Sequence, residues 1–162
     1  MIRIGLGHDT HRLAEGGPLR LGGVDIPYDH HLVGHSDADV LMHAITDALL
    51  GAANLPDIGQ LFPNSSAENK GRDSADFLRF ANHKVNEEMW RIINIDTVIF
   101  AQEPKLSPYK EAMRTALAAV LDIHPEQIGI KSKTGEHVGP VGRQEAIQAE
   151  CVVLLERIDE LI

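Results

Sequence analysis

Residues 35–50 constrain this chain more than any other stretch. His35-Ser36-Asp37-Ala38-Asp39-Val40-Leu41-Met42-His43 packs two histidines, two aspartates and a serine into nine residues, and an apolar-periodic run continues to Leu50. Steps of three and four read as a helix: Val40, Leu41, Ala44, Ile45, Ala48 and Leu49 fall on one stripe, which must face a core. Asp39, His43 and Asp47 lie four apart and share the neighbouring face. Ser36 is the expected N-cap, with Asp39 at the capping-box position. A ladder of ligand-capable groups thus runs beside a buried stripe, and solubility does not require groups of that kind there. A plainer reading stands next to it. Acids in a first helical turn, such as Asp37 and Asp39, suit the positive end of the helix, and His43 is then a hydrogen-bonded histidine at a core edge.

The stretch before this helix offers it partners. Residues 2–13 alternate, with Ile2, Ile4 and Leu6 pointing one way and Gly5, Gly7, Asp9 and His11 the other. Asp9 and His11 therefore share one face of a strand, about 7 Å apart along the chain by the usual strand rise. With His43 they make a His₂-carboxylate set. Two imidazoles and a carboxylate suit zinc, and three protein ligands leave a fourth position for substrate or water, as in catalytic rather than structural sites. A helix edge with satisfied polar groups remains the alternative on spacing alone.

The rest of the chain supplies the scaffold. Leu19-Arg20-Leu21 and Val24-Asp25-Ile26 flank Gly22-Gly23 and read as a tight hairpin closed by Pro27. Residues 28–34 read as loop, with His30 and His31 solvated. The helix ends near Pro56, Asp57-Ile58-Gly59 follows, and residues 61–71 read as a long loop of the kind that forms lids and binding loops. Asp73 or Ser74 caps a second helix to about Trp90, which reads as core without chemistry. Strands follow at 93–101, 128–133 and 146–158, with a third helix at 109–121 between the first two. The loop 134–143 holds three glycines, Thr134, Glu136 and Arg143, a composition suited to gripping phosphate beside a metal ligand. This order predicts an α/β (α+β) fold: a mixed β-sheet with helices packed on one face, in a single domain spanning residues 1–162.

Composition bounds the partners. Aromatic residues make up 4% of the chain, so Ile, Val, Leu and Ala must build the core. A formal net charge of −9 argues against nucleic acid, because phosphate backbones demand a basic surface. An anionic small molecule would have to be held by metals, backbone N–H groups and a few cations. No apolar run has the length of a membrane span and the first residues read as strand rather than targeting signal, so a cytoplasmic protein is expected. The single cysteine, Cys151, fits a reducing compartment and reads as buried packing.

Gly7-His8-Asp9-Thr10-His11, Gly22 to Pro27, His35 to His43, Thr46 to Ala52, Asp57-Ile58-Gly59, Phe62-Pro63, Ala101-Gln102, Pro104-Lys105 and the Lys131–Arg143 loop together resemble the 2-C-methyl-D-erythritol 2,4-cyclodiphosphate synthases of the non-mevalonate isoprenoid pathway. The resemblance covers essentially the whole chain. It implies a lyase that closes a cyclic diphosphate from 4-diphosphocytidyl-2-C-methyl-D-erythritol 2-phosphate and expels CMP. It also implies a homotrimer around a β-lined axis, with active sites between subunits. By resemblance Asp9, His11 and His43 hold zinc, Glu136 serves Mg²⁺ or Mn²⁺, and His35 and Thr134 stabilise the transition state. His35 and Ser36 face substrate at the helix entrance. Asp57, Ile58 and Gly59 match the erythritol-binding turn, and Phe62 and Pro63 extend that substrate-binding run. Ala101, Gln102, Pro104, Lys105, Leu106 and Ser107 match the cytidine pocket, and Arg143 matches a phosphate-binding arginine. Asp39 or Asp47, sharing the face of His43, is the candidate to orient its ring. Lys133 and Gly135 flank Thr134 where the family commonly has threonines, and Pro140 replaces a common phenylalanine. The ligand set by itself also permits a zinc hydrolase.

Overall fold

The computed structural model describes residues 1–63 and 65–158. Asn64, in the expected lid, and residues 159–162, the last of the expected domain, lie outside the described residues. Five strands form one sheet in the order β4 (His30–Val33), β1 (Ile2–Glu15), β7 (Ala146–Arg157), β5 (Trp90–Phe100), β6 (Ile128–Lys133). Only the β5–β6 pair is parallel, so the sheet is mixed as expected. Strands β2 (Leu19–Leu21) and β3 (Val24–Ile26) form the separate hairpin, with Gly22 and Gly23 at φ +59° and +76° in its two-residue turn. Helices α1 (Val40–Ala52), α3 (Ser74–Glu87) and α4 (Lys110–Leu121) complete the main core, while α2 (Ile58–Leu61) and α5 (Gly139–Gly142) are single turns in loops.

Strand parity decides which side α1 covers. Gly5 and Gly7 face it, and a Cβ on either would lie 2.0 Å from the Ala48 oxygen or 1.9 Å from the Ala44 oxygen. The helix lies flush on β1 because those two side chains are missing. Its apolar stripe, buried as predicted, also meets Ala149, Cys151 and Val153 of β7 in one core. On the opposite side Ile2, Ile4 and Leu6 are 67–73% exposed, so this face of β1 is uncovered in a single chain.

Four boundaries differ from the sequence reading. Residues 30–33 form strand β4 rather than loop; Leu32 alone of the four is buried, and two histidines mask the alternation of so short an edge strand. The N-cap of α1 is Asp39, not Ser36. Ala38 adopts a left-handed φ of +59°, which no helix interior accommodates, and Asp39 accepts the Met42 N–H. Helix α3 stops at Glu87, and Trp90 opens β5 instead of closing the helix. The stretch after α1 forms α2 up to Leu61, and the 61–71 loop contains a 3₁₀ turn at Ala67–Asn69.

Candidate active site

Three side chains from two elements converge. Strand β1 presents Asp9 and His11 two residues apart, and the first turn of α1 presents His43 across the glycine-lined contact. Asp9 Oδ2 lies 2.9 Å from His11 Nε2 and 3.1 Å from His43 Nδ1, and the two ring nitrogens are 3.2 Å apart. Tetrahedral ligands at about 2.0–2.1 Å from a zinc-like ion are separated by about 3.3 Å, so this triangle fits a divalent cation with little adjustment.

Proton bookkeeping points the same way. His11 Nδ1 lies 2.8 Å from the Val33 carbonyl oxygen, which can only accept, so Nδ1 carries the proton and Nε2 is left with a lone pair. A carboxylate oxygen and bare imidazole nitrogens at such distances need a cation or a shared proton among them. Burial alone would lower the His11 pKa, but the hydrogen bond and charge of Asp9, with the Val33 carbonyl, outweigh it and raise the value above 6.5. Burial alone would raise Asp9, yet His11 and His43 hold its carboxyl well below the usual range.

The orienting groups are not the expected ones. Asp39 is wholly buried, and its carboxylate oxygens accept the N–H groups of Gly22 (2.9 Å), Gly23 (2.7 Å) and Met42 (3.1 Å), tying the hairpin turn to α1 rather than meeting the His43 ring. Asp47 accepts the Ile58 N–H at 2.8 Å and so anchors α2. Asp37, expected as a first-turn acid, precedes the helix and accepts the N–H of Ser74 at 3.1 Å together with its hydroxyl. The groups that meet His43 Nε2 are Ser74 Oγ at 2.8 Å and Ser36 Oγ at 3.2 Å. Ser74 is a contributor that the sequence reading missed, because a serine that starts a helix and a serine that holds an imidazole look alike in sequence.

The triad opens into a cavity of about 290 Å³ that brings His35, Ser36, Ile58, Gly59 and Phe62 together with Asp9, His11 and His43. Phe77, packed 4.7 Å from the Phe62 ring and 6.0 Å from His43, lines its apolar side. His35 Nε2 donates to the Ser66 carbonyl at 3.1 Å. Asp57 and Pro63 border this region without lining the cavity: Asp57 caps α2 through the Gln60 N–H, and the Pro63 carbonyl accepts from Asn69.

A second cavity, about 390 Å³, collects Ala101, Gln102, Pro104, Lys105, Leu106, Ser107, Lys133 and Thr134. The Thr134 hydroxyl donates to Glu136 at 3.2 Å, and Gln102 accepts the His137 N–H, which ties this loop to the one after β5. A Cβ at Gly135 would lie 2.4 Å from the Gly142 nitrogen, so the backbone leaves no room for a side chain there. Arg143 makes two contacts to Glu145, at 2.9 and 3.3 Å, and lines neither cavity.

The two cavities belong to different parts of the sheet. Thr10, Gln148, Phe100 and Lys133 occupy one row across β1, β7, β5 and β6. Three strand spacings, about 14 Å, therefore separate the backbone beside Asp9 and His11 from the start of the Thr134 loop. One chain does not bring the two cavities together.

The model of the YgbB family matches residues 2–156. A 2-C-methyl-D-erythritol 2,4-cyclodiphosphate synthase of Rhodopirellula baltica is 57% identical over 96% of this chain and 94% of its own length. The synthase of Chromobacterium violaceum is 55% identical over 96% and 98%. Among solved structures, the bifunctional IspDF of Campylobacter jejuni superposes with a TM-score of 0.94 at 42% identity over 98% of this chain, which spans 43% of that longer protein. The CDP complex of Plasmodium falciparum IspF gives 0.86 at 36% identity, covering 98% of this chain and 97% of its own. With a family model matched over almost its entire length and relatives more than half identical, the chain belongs to the YgbB family.

Proposed function

We propose that this chain converts 4-diphosphocytidyl-2-C-methyl-D-erythritol 2-phosphate to 2-C-methyl-D-erythritol 2,4-cyclodiphosphate and CMP, a phosphorus–oxygen lyase reaction of non-mevalonate isoprenoid synthesis. The observation that carries the proposal is the Asp9–His11–His43 triangle opening into a cavity walled by His35, Ser36 and Gly59, in a chain whose relatives bear that synthase's name.

The substrate's own 2-phosphate is the nucleophile, so the protein has to align two phosphoryl groups and balance their charge. A chain of net charge −9 needs added cations for this. Asp9, His11 and His43 would hold Zn²⁺, and Glu136 would hold Mg²⁺ or Mn²⁺; bound there, the ions supply Lewis-acid neutralisation of the phosphates. His35 and Thr134 would donate hydrogen bonds to phosphoryl oxygens as charge develops, in place of their bonds to the Ser66 carbonyl and Glu136. Asp57, Ile58 and Gly59 would take the erythritol hydroxyls, with Ser36, Phe62 and Pro63 beside them. Residues 101–107 offer a rigid turn whose backbone groups read cytosine, and Arg143 assists the phosphates once released from Glu145.

The half-sites about 14 Å apart support active sites completed between neighbouring copies. The uncovered strip of Ile2, Ile4 and Leu6 supports a homotrimer built on that sheet face. We place the enzyme in the cytoplasm; no described helix is long and apolar enough to cross a membrane.

Incubation with the diphosphocytidyl substrate, followed by phosphorus NMR, tests the reading. Cyclic diphosphate with stoichiometric CMP is expected. Linear phosphates without a ring would replace it with the zinc-hydrolase reading.

A further inference from the structure

The face of His43 turned away from Asp9 and His11 is built with unusual economy. Ser74 is the first residue of α3, is fully buried, and sends its side-chain hydrogen bonds to Asp37 and His43. Its hydroxyl hydrogen points to Asp37 Oδ1, and its backbone N–H, one of the unpaired donors of a helix start, goes to Asp37 Oδ2 at 3.1 Å. A hydroxyl has one proton. With that proton committed to a carboxylate, Ser74 Oγ can meet His43 Nε2, 2.8 Å away, only as an acceptor. The ring must then carry a proton on Nε2, so that the neutral ring leaves Nδ1 bare, and Nδ1 is the atom turned towards Asp9 and His11. Ser36 Oγ is more distant from Nε2, at 3.2 Å, and already accepts the Ala38 N–H.

We propose that Ser74, held by Asp37, is a positioning residue that fixes the tautomer and tilt of His43 and thereby prepares its Nδ1 as a metal ligand. The arrangement mirrors His11, where the Val33 carbonyl performs the same task from the other nitrogen. Each imidazole of the triad is thus set by a partner from an element that contributes no ligand. The inference rests on the metal-site reading above and adds residues to it.

The test uses the full chain, ¹⁵N-labelled and metal-stripped, at a pH where its own nitrogen shifts report neutral rings. Two-bond ¹H–¹⁵N correlation reads the His43 tautomer without any metal, and chelator competition reads Zn²⁺ affinity. Wild type is expected in the Nε2–H form. Ser74→Ala is expected to mix the tautomers and weaken zinc by about 10- to 100-fold, and Ser74→Thr, which keeps the hydroxyl, to restore both. Asp37→Asn carries the test if Ser74→Ala does not fold. Its amide can donate to Ser74 Oγ, which turns the hydroxyl proton towards Nε2 and moves the ring proton to Nδ1. An unchanged tautomer and zinc affinity in both Ser74→Ala and Asp37→Asn overturns the proposal, as does a tautomer shift in Ser36→Ala without one in Ser74→Ala. Full zinc binding by His43→Ala would instead overturn the metal site itself.

Discussion

Gly7 and Ala44 touch through backbone: a methyl group on Gly7 would sit 1.9 Å from the Ala44 carbonyl oxygen. That contact sets how close α1 approaches β1, and hence how close His43 comes to Asp9 and His11. Gly7→Ala is expected to push the helix off the strand, destabilising the fold by about 3 kcal/mol, the upper part of the usual range for overpacking. Zinc affinity should fall with it. Gly51→Ala is the control within the same helix, where nothing lies within 4 Å of the new methyl. It should stabilise by about 0.5–1 kcal/mol. Urea unfolding of both variants checks the pair, and equal effects would refute the close-approach account.

Asp39→Asn changes no shape but replaces one accepting oxygen with a donor. Whichever way the amide turns, a buried N–H of Gly22, Gly23 or Met42 then faces an NH₂. A loss of about 1–3 kcal/mol is expected for the unpaired group, with the 22–23 turn loosened from α1. Urea unfolding and amide exchange at Gly22 and Gly23 measure it; wild-type stability would show that burial keeps this carboxyl neutral.

Asp47 gives a pH signature. Burial raises its pKa above 3.8; the Ile58 N–H opposes the rise, and the charges of Asp57 and Asp9 add to it. A carboxyl with a raised folded pKa holds its proton more tightly in the native state. Its charge therefore costs stability at pH values above the folded pKa, and that cost fades as pH falls from there to 3.8. Asp47→Asn keeps an oxygen for Ile58 and removes the charge. It should be more stable than wild type at neutral pH and converge with it below 3.8. A difference that does not vary with pH would contradict the assignment.

Cys151 lies in the core of β7, 1% exposed, and burial pushes its thiol well above the ordinary 9.0, with the charge of Asp96 adding to the rise. Thiol reagents at pH 8 should leave it untouched in the folded protein and label it at the unfolding rate. Fast labelling without unfolding would show that the core opens there.

Much of this was legible beforehand, for reasons that differ by element. The alternation of residues 2–13, the Gly-Gly hairpin and the apolar stripe of α1 are local patterns, and each holds. The convergence of Asp9, His11 and His43 was legible because i, i+2 on a strand and a histidine on a helix face are geometric statements in themselves. Strand β4 was not, because a four-residue edge with one buried side chain has too little pattern to read. The partners of His43 were not either. Asp39 and Asp47 have the right spacing on the helix, but backbone N–H groups of the 22–23 turn and of Ile58 claim them. Ser74 comes from 31 residues away, and a tertiary contact of that kind leaves no mark on local spacing.

The separation of the two half-sites reaches into genetics. Under the proposed assembly, a copy lacking His43 retains a sound nucleotide loop, and a copy lacking Thr134 retains a sound metal triangle. Neither completes a site alone. Expressed together, they form mixed trimers in which roughly one interface in three pairs the two intact halves. Two dead alleles would then complement each other in the same cell, whereas two lesions carried on a single chain would not.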